Sequence, residues 1–237
     1  MMSERKISFS VGEYYHLYNR GNDKRLIFLD DNDCLRFLVL LYVCNNTAEV
    51  HISSYKGDQG VSLMEMFELE RGDSLVSIGA YCLMPNHFHL LVKAESEQGI
   101  SVFMKKILTG YSMYFNKKYQ RSGKLFEGPF KAKHVDEDSY LQYLYAYIHL
   151  NPVKTIDPTN WEKKIIANPE QAYGFLCRYP HSSFVDYQGG QRQERVILNP
   201  TAFPEYFVDK REFSEYINDW INYEDEEKKI NIKEFPR

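Results

Sequence analysis

Pro85-Asn86-His87-Phe88-His89-Leu90-Leu91-Val92 is the stretch on which the fold turns: two histidines around one phenylalanine at the head of an apolar run. On an extended strand successive side chains alternate between faces, so His87 and His89 share one face while Phe88, Leu90 and Val92 share the other and enter a core. Imidazoles two residues apart lie about 7 Å from each other along such a strand, near enough to share one cation if a third ligand arrives from elsewhere. Taken alone, alternating histidines on a strand more often make a polar sheet face than a ligand pair.

A third ligand is available downstream. Residues 140–151 read Y-L-Q-Y-L-Y-A-Y-I-H-L-N, a helical pattern opened by the acidic cluster Asp136-Glu137-Asp138-Ser139 and closed by Pro152. Tyr147 and Asn151 are four residues apart and therefore stack on one helical face. A phenol is a nucleophile and an amide oxygen a neutral ligand, the two groups that a pair of strand histidines needs for phosphodiester chemistry. Because Asn151 precedes proline, which disfavours helical geometry, its side chain is expected to come from the helix terminus rather than from a full turn.

The chain carries Y-H-L-Y-N-R-G at 15–21, Y-C-L-M-P-N-H-F-H-L-L-V at 81–92, L-F-E-G-P-F-K at 125–131 and Y-I-H-L-N-P-V-K at 147–154. In this order the blocks resemble the single-tyrosine transposases of the HUH endonuclease superfamily, especially the REP-associated tyrosine transposases. The resemblance covers roughly residues 14–187, counting a weaker S-S-F-x-x-Y segment at 182–187. It implies that His87, His89 and Asn151 hold a divalent metal, Mg²⁺ or Mn²⁺, and that Tyr147 attacks DNA. Phe126 stands where the family usually has tryptophan and Pro129 where it usually has a basic residue, and the link between the first helix and the second strand is longer than usual.

Composition frames these motifs. At 237 residues the chain can bury a sizeable core, and its apolar content of 43% is ordinary for a globular protein. Cys34, Cys44, Cys82 and Cys177 show no C-x-x-C spacing and read as reduced structural residues of a cytoplasmic protein. The longest apolar run, 37–44, is far too short to span a bilayer, so no membrane partner is expected. A net charge of -4 conceals a segregation. Between Lys105 and Lys133 there are eight Lys or Arg against one acid, Glu127, interleaved with Tyr111, Tyr114, Phe115, Tyr119, Phe126 and Phe130. That mixture suits a surface that neutralises phosphates and stacks bases. The candidate DNA-binding residues are Arg20, Lys105, Lys106, Lys117, Lys118, Arg121, Lys124, Lys131 and Lys133. Residues 212–227, with seven acids and no Lys or Arg, should avoid DNA.

Residues 14–18 alternate as a strand, and Asp31-Asn32-Asp33 caps a helix to about Val43. Residues 45–73 read as an insertion, with strand-like His51 to Tyr55, a turn at Gly57 to Gly60 and a helix-like stretch S-L-M-E-M-F-E-L-E. A strand from Leu75 to Leu83 pairs with the histidine strand through the turn at Met84 to Asn86. Ser101 caps a long helix ending near Ser122-Gly123, residues 125–135 are loop or strand, and the Tyr147 helix follows. The order strand, helix, strand, strand, helix, strand, helix is that of an α+β, ferredoxin-like antiparallel sheet with helices on one face. Residues 1–187 form this domain and 188–237 a C-terminal helical extension, expected to pack on its own chain.

The function expected is a single-stranded DNA endonuclease and strand transferase acting through a covalent 5′-phosphotyrosine, with single-stranded or hairpin DNA as partner and homodimerisation left open. A rolling-circle initiator or relaxase shares the chemistry but is typically a larger chain. A domesticated, non-cleaving nucleic-acid binder is the reading from a different class, separable by covalent capture of an oligonucleotide. A phosphoesterase of the H-x-T type would need a second such motif, which the chain lacks. His134 and His149 are expected to be bystanders.

Overall fold

The computed structural model describes residues 8–48, 61–162 and 165–222. Four antiparallel strands, β1 (Tyr14–Arg20), β2 (Val76–Met84), β3 (His87–Ala94) and β4 (Lys131–Val135), form one sheet in the order β2-β3-β1-β4. Helix α1 (Asp31–Val43) connects β1 to β2 and helix α2 (Gly99–Lys118) connects β3 to β4. This is the expected ferredoxin-like topology. Among the described residues no helix is long and apolar enough to cross a membrane, and the four cysteines are free, with Cys177 alone exposed.

The sheet has two covered faces. Tyr15 and Leu17 of β1 and Phe88, Leu90 and Val92 of β3 pack under α1 and α2, around Phe37, Leu40, Phe103, Ile107 and Tyr111. A third helix, α3 (Asp138–Leu150), covers the opposite face, with Leu141, Leu144, Tyr145 and Ile148 against Ala80, Cys82, Met84, Leu91 and Val135. The expectation of helices on one face thus holds for the two crossover helices, and α3 adds a layer behind the sheet. In β2 the alternation breaks at Gly79, where a bulge lets Ile78 and then Tyr81 face the same side. The bulge accommodates the ring of Phe203, and a Cβ on Gly79 would lie 2.8 Å from it.

Helix ends differ slightly from expectation for physical reasons. Asp30 caps α1 by accepting from the Asp33 amide at 2.9 Å, one residue before the expected cluster. Asp33 itself is buried between the crossover helices, where it accepts from the Leu29 amide, the Tyr114 and Tyr119 hydroxyls and the Lys118 ammonium. Helix α2 starts at Gly99, two residues before Ser101, and only glycine fits there, since a Cβ would lie 2.2 Å from the Leu75 carbonyl oxygen. It stops at Lys118, short of Ser122, where Gln120 turns left-handed at φ 49°. Within the expected insertion Glu65–Glu68 form one 3-10 turn, while the readings for His51 to Tyr55 and Gly57 to Gly60 lie outside the described residues.

The C-terminal segment packs in cis. The Asn199 amide donates to Ile78 O at 2.9 Å, and Arg192 pairs with buried Asp186. A final helix, Lys210–Ile221, buries Phe213, Ile217 and Ile221 beside Ala146, Leu150 and Phe184. Asp33 is the point where removal of one group should propagate furthest through the front layer. Asp33→Ala strips two hydroxyls and an amide of a buried acceptor and leaves the Lys118 ammonium with Asp30 alone, and should lower unfolding free energy by about 2–4 kcal/mol. This would appear as a lower urea midpoint at unchanged slope.

Candidate active site

Alternation along β1, β3 and β4 determines which polar groups share the face that α3 covers. Antiparallel register sets His87 opposite Arg20 and His89 opposite Tyr18, while Lys131 lies opposite Tyr18 and Lys133 opposite His16. His87 and His89 point to the same side, as expected, with ring centroids 5.0 Å apart and planes perpendicular. Tyr147 of α3 comes down onto them, its ring 5.4 Å from His89 and 5.7 Å from His16 in edge-on contact. Asn151 follows α3 with helical dihedrals, φ -50° and ψ -39°, despite the proline after it. The pre-proline preference is overridden locally, and the amide stays one turn beyond Tyr147.

Hydrogen bonds decide which atoms face the centre of this cluster. The Asn86 Nδ2 donates to Lys24 O at 3.2 Å, so its Oδ1 is the acceptor 2.6 Å from His87 Nδ1. His87 therefore carries its proton on Nδ1 and keeps a lone pair on Nε2. The Asn151 Nδ2 donates to Tyr147 O at 2.7 Å, leaving its Oδ1 for other partners. The same amide is near enough to influence both the His87 imidazole and the Tyr147 phenol.

Burial dominates the electrostatics. Desolvation holds His87 down at about 4, helped by Lys154 and opposed by the Asn151 hydrogen bond. It holds His89 well below the ordinary histidine value, reinforced by His16 and His87. Both imidazoles are neutral at pH 7 and keep their lone pairs. Burial also pushes the Tyr147 phenol up to about 12, with Asn151 acting in the opposite sense.

The four expected residues, His87, His89, Tyr147 and Asn151, are thus brought together. The basic residues are divided. Arg20, ion-paired with Glu127, and Lys131 and Lys133 of β4 lie on the site face, with Lys131 Nζ 6.0 Å from the Tyr18 ring and Lys133 Nζ 4.2 Å from the Tyr140 ring. Lys105, Lys106, Lys117 and Lys118 belong to α2, across the sheet. Lys106 binds Asn46 O and Ala48 O, and Lys118 bridges Asp30 and Asp33. Arg121 donates to Asn116 after that helix, and Lys124 is exposed in the following loop. His134 pairs with Glu13, and His149 is a core residue whose Nε2 lies 2.7 Å from Ser183 Oγ.

Two residues of the cluster escaped the sequence analysis. His16 is 1% exposed and places Nε2 2.9 Å from His89 Nδ1. Its signal is its place in the Y-H-L-Y-N-R-G block, in phase with Tyr18 and Arg20. Lys154 closes the Y-I-H-L-N-P-V-K block and is near enough to depress both histidines.

Comparison with known proteins bears on these groups. No curated protein matches the chain. Among solved structures, a REP-associated tyrosine transposase bound to a REP hairpin aligns with 81% of this chain and 90% of its own, at 15% identity and a TM-score of 0.46. A Deinococcus radiodurans protein described as a transposase aligns with 61% of this chain and 94% of its own, at 16% identity and a TM-score of 0.33. The family model described as "Transposase IS200 like" matches residues 53–151. That segment contains His87, His89, Tyr147 and Asn151, and over it the chain is similar to the IS200-like transposases.

Proposed function

We propose that this protein is a transposase, a metal-dependent single-stranded DNA endonuclease and strand transferase in which Tyr147 is the nucleophile. The observation that carries the reading is the meeting of Tyr147, with the Asn151 amide one turn beyond it on the back helix, and two neutral histidines of β3. A core tyrosine would have no reason to sit on a polar sheet face lined by imidazoles and lysines. On attack the Tyr147 Oη forms a bond to the scissile phosphorus, the bond to the 3′ oxygen breaks, and that oxygen leaves as a hydroxyl with a proton. The 5′ phosphate stays on the enzyme as a phosphotyrosine. Because one ester replaces another, a second 3′ hydroxyl can reverse the step and join strands.

The donor set fits a hard to borderline divalent cation. His87 presents an Nε2 lone pair, burial keeps both imidazoles neutral, and Asn151 has its carbonyl oxygen free of the helix. Among the described residues no group of three or more His, Cys, Asp or Glu is arranged to hold a metal, so an amide rather than a carboxylate would complete the set. Two nitrogens, one oxygen and the phosphate oxygens of the substrate suit Mg²⁺ or Mn²⁺. When bound, such a cation polarises the phosphate and offsets its developing charge.

The chain's own groups do the rest. At about 12, the Tyr147 phenol is ionised to only about one part in 10⁵ at pH 7, so its proton must leave during attack. Asn151 favours the ionised phenol by hydrogen bonding. Arg20, Lys131, Lys133 and Lys154 would hold the phosphates of a strand crossing the site face. Stacking on nearby tyrosines needs unpaired bases, which favours single-stranded or hairpin DNA over duplex.

Tyr147→Phe removes one oxygen and little packing. It should still bind a labelled hairpin oligonucleotide yet form no covalent adduct on a denaturing gel, whereas Tyr143→Phe should form one. An adduct with Tyr147→Phe would move the nucleophile elsewhere. Chelator, His87→Ala or His89→Ala should each lower cleavage at least 100-fold, and Asn151→Ala less, since an amide is the weakest of the three ligands. Full cleavage in excess chelator would overturn the metal assignment. Replacing Lys131 and Lys133 by Ala should weaken binding and reduce the slope of log K against log salt by about 2. The same double change at Lys105 and Lys117, measured by fluorescence anisotropy, should leave that slope within about 0.5 of the parent.

A further inference from the structure

His16 is a buried imidazole that the proposed chemistry does not use. It lies on β1, 1% exposed, with Nε2 2.9 Å from Nδ1 of His89 and the two rings stacked at 5.1 Å. Its other nitrogen, Nδ1, is buried without a hydrogen-bond partner. A histidine pair serving only stability would satisfy that nitrogen or give way to apolar side chains, since an orphaned buried polar atom destabilises. The contact therefore calls for another explanation, and its position supplies one.

Two neutral imidazoles joined by one hydrogen bond have two arrangements. In the first, His16 carries its proton on Nε2 and donates to His89 Nδ1. His89 then carries its proton on Nε2, and that nitrogen has no lone pair to offer. In the second, His89 carries its proton on Nδ1 and donates to His16 Nε2, which leaves the His89 Nε2 lone pair free. His16 then holds its own proton on the orphaned Nδ1. Passing from the first to the second moves the bridging proton from His16 to His89, releases one proton from His89 Nε2 to solvent and takes one up at His16 Nδ1. Net charge is unchanged. Only the second arrangement permits a cation at His89 Nε2, and it requires an acceptor at the position of His16 Nε2.

From this geometry we infer that His16 is a positioning residue for the cation site. Its Nε2 holds His89 in the tautomer and ring orientation that present Nε2 to the metal, the service that Asn86 Oδ1 performs for His87. The inference rests on the metal reading above and adds to it a residue outside the ligand set.

The test uses the full chain without DNA. Mn²⁺ affinity is measured by electron paramagnetic resonance, imidazole tautomers are read from ¹⁵N chemical shifts with and without diamagnetic Mg²⁺, and the number of coordinated imidazoles is counted by electron spin-echo modulation. Wild type should coordinate two imidazoles, and Mg²⁺ should bring His89 to the Nδ1-protonated form, with His16 as acceptor. His16→Leu should bind Mn²⁺ 10–100-fold more weakly with a urea midpoint close to wild type. His16→Gln, whose amide oxygen can accept from His89 Nδ1, should restore affinity to within a few-fold. If His16→Leu does not fold, the glutamine variant and the wild-type ¹⁵N spectrum still decide. Wild-type affinity in folded His16→Leu would overturn the inference while leaving the metal reading intact. Three coordinated imidazoles would also overturn it, making His16 a ligand. Absence of Mn²⁺ binding by wild type, with no effect of His89→Ala, would overturn the metal reading itself.

Discussion

The rest of the structure depends on the two-sidedness of β3. Its odd-numbered residues His87, His89 and Leu91 and its even-numbered residues Phe88, Leu90 and Val92 serve different layers, because a pleated strand can do nothing else. The even set anchors the strand beneath α1 and α2 with side chains that are fully buried. With that side held by tight packing, the histidines cannot rotate or slip, since a shift of one residue would drive imidazoles into the apolar layer. Rigid placement of polar groups is thus a by-product of burying their neighbours.

The same burial tunes the chemistry. Desolvation is the largest cause of the shifts at His16, His87, His89 and Tyr147. It acts in opposite directions on the two residue types, since it disfavours the charged form of each. Histidines stay neutral with lone pairs available, and the tyrosine keeps its proton until something draws it away. One covered face therefore keeps imidazole lone pairs and a protonated phenol side by side, without requiring a buried ion pair at its centre.

Helix α3 joins these requirements. Leu141, Leu144 and Ile148 dock it on the sheet, and the same period carries Tyr147 and Asn151 to the edge of the contact, above the histidines. From behind it is braced by the C-terminal segment: Trp220 meets the Tyr143 ring at 5.0 Å, Tyr216 donates to Gln142 O, and Phe213 packs on His149. Through these contacts residues 188–222 help set where Tyr147 stands over the histidines.

By itself the sequence determined the strand carrying His87 and His89, the helix carrying Tyr147 and Asn151, and the βαββαβ order, because alternation, helical period and turn residues are local properties. The motif blocks also contained His16, Arg20 and Lys154, although spacing within a block says nothing of which atoms meet across the sheet. Only the tertiary structure decided that α3 lies opposite the crossover helices, since an apolar stripe fits either face until α1 and α2 have occupied one. Only it divided a continuous basic stretch between two sides of the sheet, leaving Lys131 and Lys133 at the site while Lys106 and Lys118 tie α2 to its neighbours. It alone set His16 against His89, seventy-three residues away along the chain, because register between β1 and β3 depends on packing of the whole sheet. Local pattern names the groups a chain can offer, and long-range packing selects which of them share a face.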